Sequence, residues 1–229
     1  MMLCMNNSYP GIFIAFEGID RSGKHTQGEL LQSYINGLGF KANFTQEPWW
    51  GEMTANDQRL KRIIGRQESA QPDEIQSLFI DNRARHLEHE IMPCLNNGSD
   101  NFVICERYFM STLAYGPATG SEGIEKLLKT HEAIYNFIFP DITLIIDISA
   151  QEAVRRLNNK ADVFEENAIL ERVRQNYLSL AIMFGNVKTV IIDGAKSPEE
   201  VFASIKPHVD NIISAKIYNK DRRIDAQSR

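Results

Sequence analysis

Paired cysteines, long hydrophobic runs and an excess of positive charge are all missing from these 229 residues. The three cysteines, Cys4, Cys94 and Cys105, are odd in number and far apart, with no CxxC pair, which argues against a disulfide ladder and a thiolate zinc site. No apolar stretch approaches the length of a membrane span, and Met1 to Pro10 holds no charged segment followed by a long apolar run. A soluble, cytoplasmic protein is expected. A formal net charge of -5 supplies no basic field for a nucleic-acid backbone, so no nucleic-acid partner is expected. His25, His86, His89, His131 and His208 never fall into a HExxH or similar spacing, and no dedicated transition-metal site is expected.

What is present is ordinary globular composition, 43% hydrophobic and 24% charged, without repeats or low-complexity segments. It predicts a single domain over residues 1–229 with its core at about 11–215. The tail 216–229 carries charges but no packing stripe and is expected to fray. Gly11 to Glu17 is a short apolar run followed by glycine, and from Gly23 a helical pattern places Leu30, Leu31 and Ile35 on one side. Phe40 to Thr45, Phe102 to Cys105, Thr143 to Ile148 and Val187 to Ile192 read as further strands; the last three are continuous apolar runs, as in strands buried on both faces of a parallel sheet. Pro72 sits where a helix begins, and Ile80, Ala84, Leu87, Ile91 and Leu95 extend that helix to Asn97-Gly98, with a bend expected at Pro93. Ser197-Pro198-Glu199-Glu200 is a capping box that opens the last helix. Strands alternating with helices predict a three-layer α/β sandwich.

Gly18 to Lys24 fits GxxxxGK, directly after the first strand and before the first helix, which is the context a phosphate-binding loop requires. Glycines let successive backbone N–H groups turn toward phosphate oxygens, and Lys24 brings a point charge to the β- and γ-phosphates. Its ammonium is expected to stand exposed in the empty loop. The candidate ATP contacts are Gly18, Asp20, Arg21, Ser22, Gly23, Lys24, His25 and Thr26. The residue after the lysine, commonly a Ser or Thr that binds magnesium, is His25. Imidazole suits a hard cation less well than oxygen does. Mg²⁺ arriving with ATP is therefore expected to rest on ATP, water and carboxylates such as Asp20 and Glu106.

The segment Phe16-Glu-Gly-Ile-Asp-Arg-Ser-Gly-Lys-His-Thr-Gln27 resembles the FEGxDxxGKxTQ loop of thymidylate kinases. Four further segments match in order: Leu78 to Arg83, Glu106 to Tyr115, Pro140 to Asp147, and Asp162 through Tyr177. The resemblance implies a P-loop NTPase fold with a five-stranded parallel sheet, helices on both faces and a short lid at about 158–166. It implies ATP and dTMP as substrates and a homodimer. By the same resemblance Phe79 would stack on thymine, with Arg83 one turn later on the same face reaching the base or 5′-phosphate. Arg107 would clamp the monophosphate, Thr112 and Tyr115 would border the sugar, and Asp20, Pro48, Trp50 and Glu165 would complete the acceptor site. Lys24, Arg21, Arg107 and Asp20 are the catalytic candidates, with Arg21 as the cation on the phosphoryl group in flight.

The chain departs from the family pattern at His25, Glu106, Trp49-Trp50, Gly116 and Val163. Asp162 and Glu165 match the acids of the lid motif, and Lys160 or Arg156 would be its remaining cations. Two alternatives stay open. Glu47-Pro48 with Glu106-Arg107 echoes deoxynucleoside kinases, in which Glu47 would deprotonate a sugar 5′-hydroxyl. The departures taken together would also suit a nucleotide-binding protein that has lost catalysis.

Overall fold

The structure is a computed structural model that describes residues 7–134, 137–156, 163–185 and 188–227, without the side chains of 163–166 and 217–227. Five parallel strands, β1 (Ile12–Glu17), β2 (Lys41–Gln46), β3 (Asn101–Glu106), β4 (Ile142–Asp147) and β5 (Thr189–Asp193), lie in the order β2-β3-β1-β4-β5. Every residue of β1 is buried, which is why its sequence is a continuous apolar run rather than an alternating one. Side chains still alternate in direction: Phe13 and Ala15 enter one core, and Ile12, Ile14 and Phe16 enter the other. Each large side chain so buried stabilises the fold by about 1.5–3 kcal/mol.

Helices α1 (Lys24–Gly37) and α9 (Pro198–Gln227) cover one face, with Leu31 and Ile35 meeting Val201, Ile205 and Val209 around β1 and β4. On the other face lie α3 (Pro72–His86), α4 (Met92–Asn96), α5 (Phe109–Ala118), α6 (Ile124–Glu132), α7 (Ala150–Arg155) and α8 (Val163–Met183). Pro72 opens α3 at its first turn, as expected. The backbone accommodates Pro93 one turn upstream: Leu87–Ile91 is a π-helical turn in which Met92 N–H reaches Leu87 O, five residues back.

Two features differ from the sequence reading. A short helix, α2 (Ala55–Ile64), follows the Trp49-Trp50 segment, and Thr54 and Asp57 form its capping box. The tail expected to fray continues α9, whose backbone stays helical to Gln227. Just before that tail Lys216 donates to the carbonyls of Gly11, at 2.5 Å, and Tyr9, which ties α9 to the entrance of β1. The Ser197 capping box is formed, with Glu200 N–H donating to Ser197 Oγ at 3.3 Å and Ser197 N–H to Glu200 Oε2 at 3.0 Å.

The strand order turns outward from β1, with β3 on one side and β4 on the other. The loop after β1 therefore opens at the topological switch point, where parallel sheets bind ligands.

Candidate active site

After Glu17 the chain turns through Gly18 at φ 137°, Arg21 at φ 65° and Gly23 at φ 101° before α1 begins at Lys24. A Cβ on Gly18 would come 2.5 Å from Ile146 O, so the loop passes β4 only because that residue is glycine. Arg156, at the end of α7, fastens the loop from outside: its Nη1 donates to Arg21 O at 3.1 Å and its Nη2 to Gly194 O at 2.9 Å. That use of Arg156 removes it from the candidate lid cations.

Lys24 corrects an expectation. It is buried, not exposed, and its ammonium curls back to donate to Ile19 O at 2.8 Å. Burial, then the neighbouring Arg107 charge, lowers its pKa to about 7, although Asp20, Glu106 and Glu17 pull the other way. The lysine lay in a motif, but its depth depends on residues far along the chain.

Arg107 projects from just beyond β3, at φ 67°. Its Nη1 donates to Gly18 O and Ser111 Oγ, both at 3.2 Å, and its Nη2 pairs with Asp20. Desolvation would raise the Asp20 pKa, but the Arg107 and Lys24 charges outweigh it and hold the carboxyl below its ordinary value. Tyr115 joins them: its hydroxyl accepts from Asp20 N–H at 3.1 Å, and its ring faces the Arg107 guanidinium at 5.2 Å. Beneath, the fully buried Glu17 accepts from Tyr108 N–H at 2.9 Å, Ser111 Oγ at 2.6 Å and Tyr177 OH at 3.0 Å. Burial raises its pKa. Glu17 was part of the quoted motif yet was not picked out as a site residue; it anchors the first turn of α5 that carries Ser111 and Thr112.

A cleft of about 470 Å³ runs from this cluster between α3 and α5, lined by Asp20, Pro48, Gln76, Phe79, Arg83, Arg107, Thr112 and Tyr115, among others. Arg83 lines the cleft with Phe79, as their spacing on α3 predicts. It is 1% exposed, and all five of its N–H donors are used: two on Glu47 Oε2, and one each on Thr112 Oγ1 at 3.0 Å, His131 Nε2 at 2.6 Å and Tyr108 O at 2.9 Å. It forms the floor of the cleft, with its donors held by protein acceptors in this structure. His131 is pushed down to about 3, chiefly by burial and then by the Arg83 charge, so it is neutral. Its Nδ1–H meets Leu127 O, which leaves Nε2 as the acceptor Arg83 needs. Trp50 lies outside the cleft lining, with the Lys61 ammonium 5.9 Å from its ring centre.

The side chain of Glu165, and Lys160 and Asp162 altogether, lie outside the described residues. Thr26 is exposed at the start of α1 and Ser22 is buried in the loop. His25 is exposed, with Nδ1 2.9 Å from Glu106 Oε2. For a magnesium ion the nearby carboxylates, Asp20 and Glu106, offer the oxygen donors a hard cation prefers, and both act on Lys24, so the donor chemistry fits Mg²⁺ carried by a nucleotide. Glu47, His86 and Cys105 also converge, their ligand atoms within 4.8 Å. Arg83 already neutralises that carboxylate, however, and Thr45 Oγ1 lies 2.9 Å from His86 Nε2.

A parallel sheet in this order, a GxxxxGK loop at its switch point and an aromatic cleft sharing Asp20 and Arg107 with that loop define a P-loop kinase of the nucleoside monophosphate kinase class. A sequence profile of thymidylate kinases matches residues 16–205. The chain is 33% identical to a probable thymidylate kinase of Pyrococcus horikoshii over 85% of its own length and 94% of that protein's. It is 35% identical to a thymidylate kinase of Thermosipho africanus over 87% and 98%. The chain belongs to the thymidylate kinase family. A crystal structure of the Ehrlichia chaffeensis thymidylate kinase shares the fold, with a TM-score of 0.68, 23% identity and coverage of 87% of this chain and 98% of that one.

Proposed function

We propose that this protein transfers the γ-phosphoryl group of ATP, bound with Mg²⁺, to dTMP, giving ADP and dTDP. The observation that supports this reading is the shared boundary of loop and cleft: Asp20 and Arg107 line the cleft, and Arg107 also pairs with Asp20 and donates to Gly18 O of the loop. An oxygen of the acceptor phosphate attacks the γ-phosphorus while the bond to the β–γ bridging oxygen breaks. Arg107 exchanges Asp20 for the acceptor phosphate, two of whose oxygens its planar guanidinium fork meets side by side. Lys24 leaves Ile19 O and meets the β- and γ-phosphates, which favours its protonated form. Mg²⁺ would be held by the triphosphate with Asp20 and Glu106 nearby, and supplies charge neutralisation there. In this reading Phe79 walls the base and Tyr115 disfavours a 2′-hydroxyl; both line the cleft. Family membership also supports a cytoplasmic homodimer. Among the described residues no helix is long and apolar enough to cross a membrane.

The deoxynucleoside kinase alternative asks Glu47 to take a proton from a sugar hydroxyl. Its carboxylate is buried and already accepts two N–H groups from Arg83. An assay of ADP release across thymidine, dTMP, dUMP, dGMP and CMP decides between them. The expected kcat/KM for dTMP exceeds that for thymidine by at least about 10²-fold. Faster turnover of thymidine would transfer the assignment to the nucleoside kinases.

Arg21 is assigned to the equatorial oxygens of the phosphoryl group in flight. It is half-buried in the loop, and Arg156 holds its carbonyl. Arg21→Ala is expected to lower kcat by about 10²-fold with little change in KM. A larger loss of kcat in Lys160→Ala would move that role to the lid.

A further inference from the structure

His25 and Glu106 are two of the positions at which this chain leaves the thymidylate kinase pattern, and the fold brings them together across 81 residues of sequence. Glu106 ends β3, and His25 lies in the first turn of α1, directly after Lys24. The imidazole is exposed, yet it is held from three sides. Its Nδ1 lies 2.9 Å from Glu106 Oε2, and its Nε2 lies 3.5 Å from Glu29 Oε1, one turn further along α1. Its ring also meets that of Phe44 on β2, with centroids 5.2 Å apart. Phe44 comes this close because Gly28, three residues after His25 on the same helix face, is bare: a Cβ there would fall 2.4 Å from Phe44 Cε2.

An ionised carboxylate can only accept, so Nδ1 carries the proton that joins the pair and is not free to bind a metal ion. The bond fixes how the Glu106 carboxylate is turned at the end of β3, beside the loop. Its charge is felt there: burial and then Arg107 lower the Lys24 pKa, while Asp20 and Glu106 pull it back. An aspartate at 106 would withdraw the oxygens by about 1.5 Å and break the contact, so the longer acid and the imidazole depend on each other. With side chains 58% and 19% exposed, the pair adds little to the stability of the fold. What it supplies is a carboxylate in a fixed place. We propose that His25 is a positioning residue for the magnesium carried by ATP: it holds Glu106 for the ion, doing through a neighbour what a hydroxyl at this position would do by direct ligation. The departures at 25 and 106 are then one coupled change. This rests on the reading above of ATP bound with Mg²⁺ and adds to it the residue that sets the carboxylate.

The test is calorimetric titration of ATP, without acceptor, in the presence and absence of Mg²⁺; the quantity read is the ratio of the two dissociation constants, which needs no turnover. His25→Leu removes the donor, His25→Asn keeps an N–H near the place of Nδ1, and Glu106→Asp keeps the charge but not the reach. His25→Leu and Glu106→Asp should each lower the magnesium-dependent gain in ATP affinity by about 10-fold, and the double variant should lose no more than either alone. His25→Asn should keep the gain within about threefold of the unaltered protein. The melting temperature of His25→Leu should stay within about 2 °C, as for an exposed pair. An unchanged gain in His25→Leu would overturn the assignment, and so would losses that multiply in the double variant, as they would if His25 bound the ion itself. If the unaltered protein shows the gain and phosphorylates dTMP, such results remove His25 alone; if it shows no gain, the reading of ATP bound with Mg²⁺ fails, and this inference with it.

Discussion

Lys24→Ala should lower kcat for phosphoryl transfer by about 10³-fold or more and leave the protein folded. The charge that the γ-phosphoryl group spreads over its oxygens needs a fixed cation in a site where water is scarce, and alanine supplies none. The fold survives because the empty site gains little from this ammonium. Burial, followed by the Arg107 charge, holds the native lysine near pKa 7, whereas the unfolded chain keeps its proton to about 10.5. Between those values the unfolded state binds more protons than the native one. The lysine's destabilising effect is therefore full below pH 7 and fades as pH rises toward 10.5. Alanine removes that effect, so its melting temperature at neutral pH should be no lower than that of the unaltered protein. Turnover within about tenfold of the unaltered protein would contradict the role given to the loop.

Glu47→Ala should destabilise the fold by about 3–5 kcal/mol, because it leaves the Arg83 guanidinium buried without a counter-charge. Both side chains are nearly inaccessible, at 1% for Arg83 and 3% for Glu47. The Arg83 Nε–H···Oε2 contact is 2.8 Å. Thr112, His131 and the Tyr108 carbonyl can bond the guanidinium but cannot neutralise it. At roughly 2–4 °C per kcal/mol for a chain of this size, the loss should appear as a drop in melting temperature of about 6–20 °C. Denaturant unfolding gives the free energy directly. The double variant Glu47→Ala/Arg83→Leu should recover part of it, since the unpaired charge is gone. A loss under about 1 kcal/mol in Glu47→Ala would mean that the pair is incidental to the floor of the cleft.

These two sites also mark how far the sequence could be read. Strands β1, β3 and β4 were legible because burial on both faces leaves uninterrupted apolar runs, and the phosphate loop was legible because its glycines serve a local backbone need. Helix α2 escaped notice since its residues are mostly polar and it follows two tryptophans, although Thr54 and Asp57 already carried a capping signal. Strand order is a matter of long-range pairing and leaves no trace in periodicity. Phe79 and Arg83 could be put on one helix face by their spacing. What neutralises Arg83 could not, because Glu47 lies 36 residues before it and His131 lies 48 after it. Burial of Lys24 escaped for the same reason: Arg107, which helps depress its pKa, is brought there by β3.

The most direct test of the central claim follows the label from γ-³²P ATP in the presence of purified protein, Mg²⁺ and either dTMP or thymidine. The account predicts label in dTDP when dTMP is offered and almost none in dTMP when thymidine is offered. Label entering thymidine to form dTMP, or failing to reach either acceptor, would contradict it.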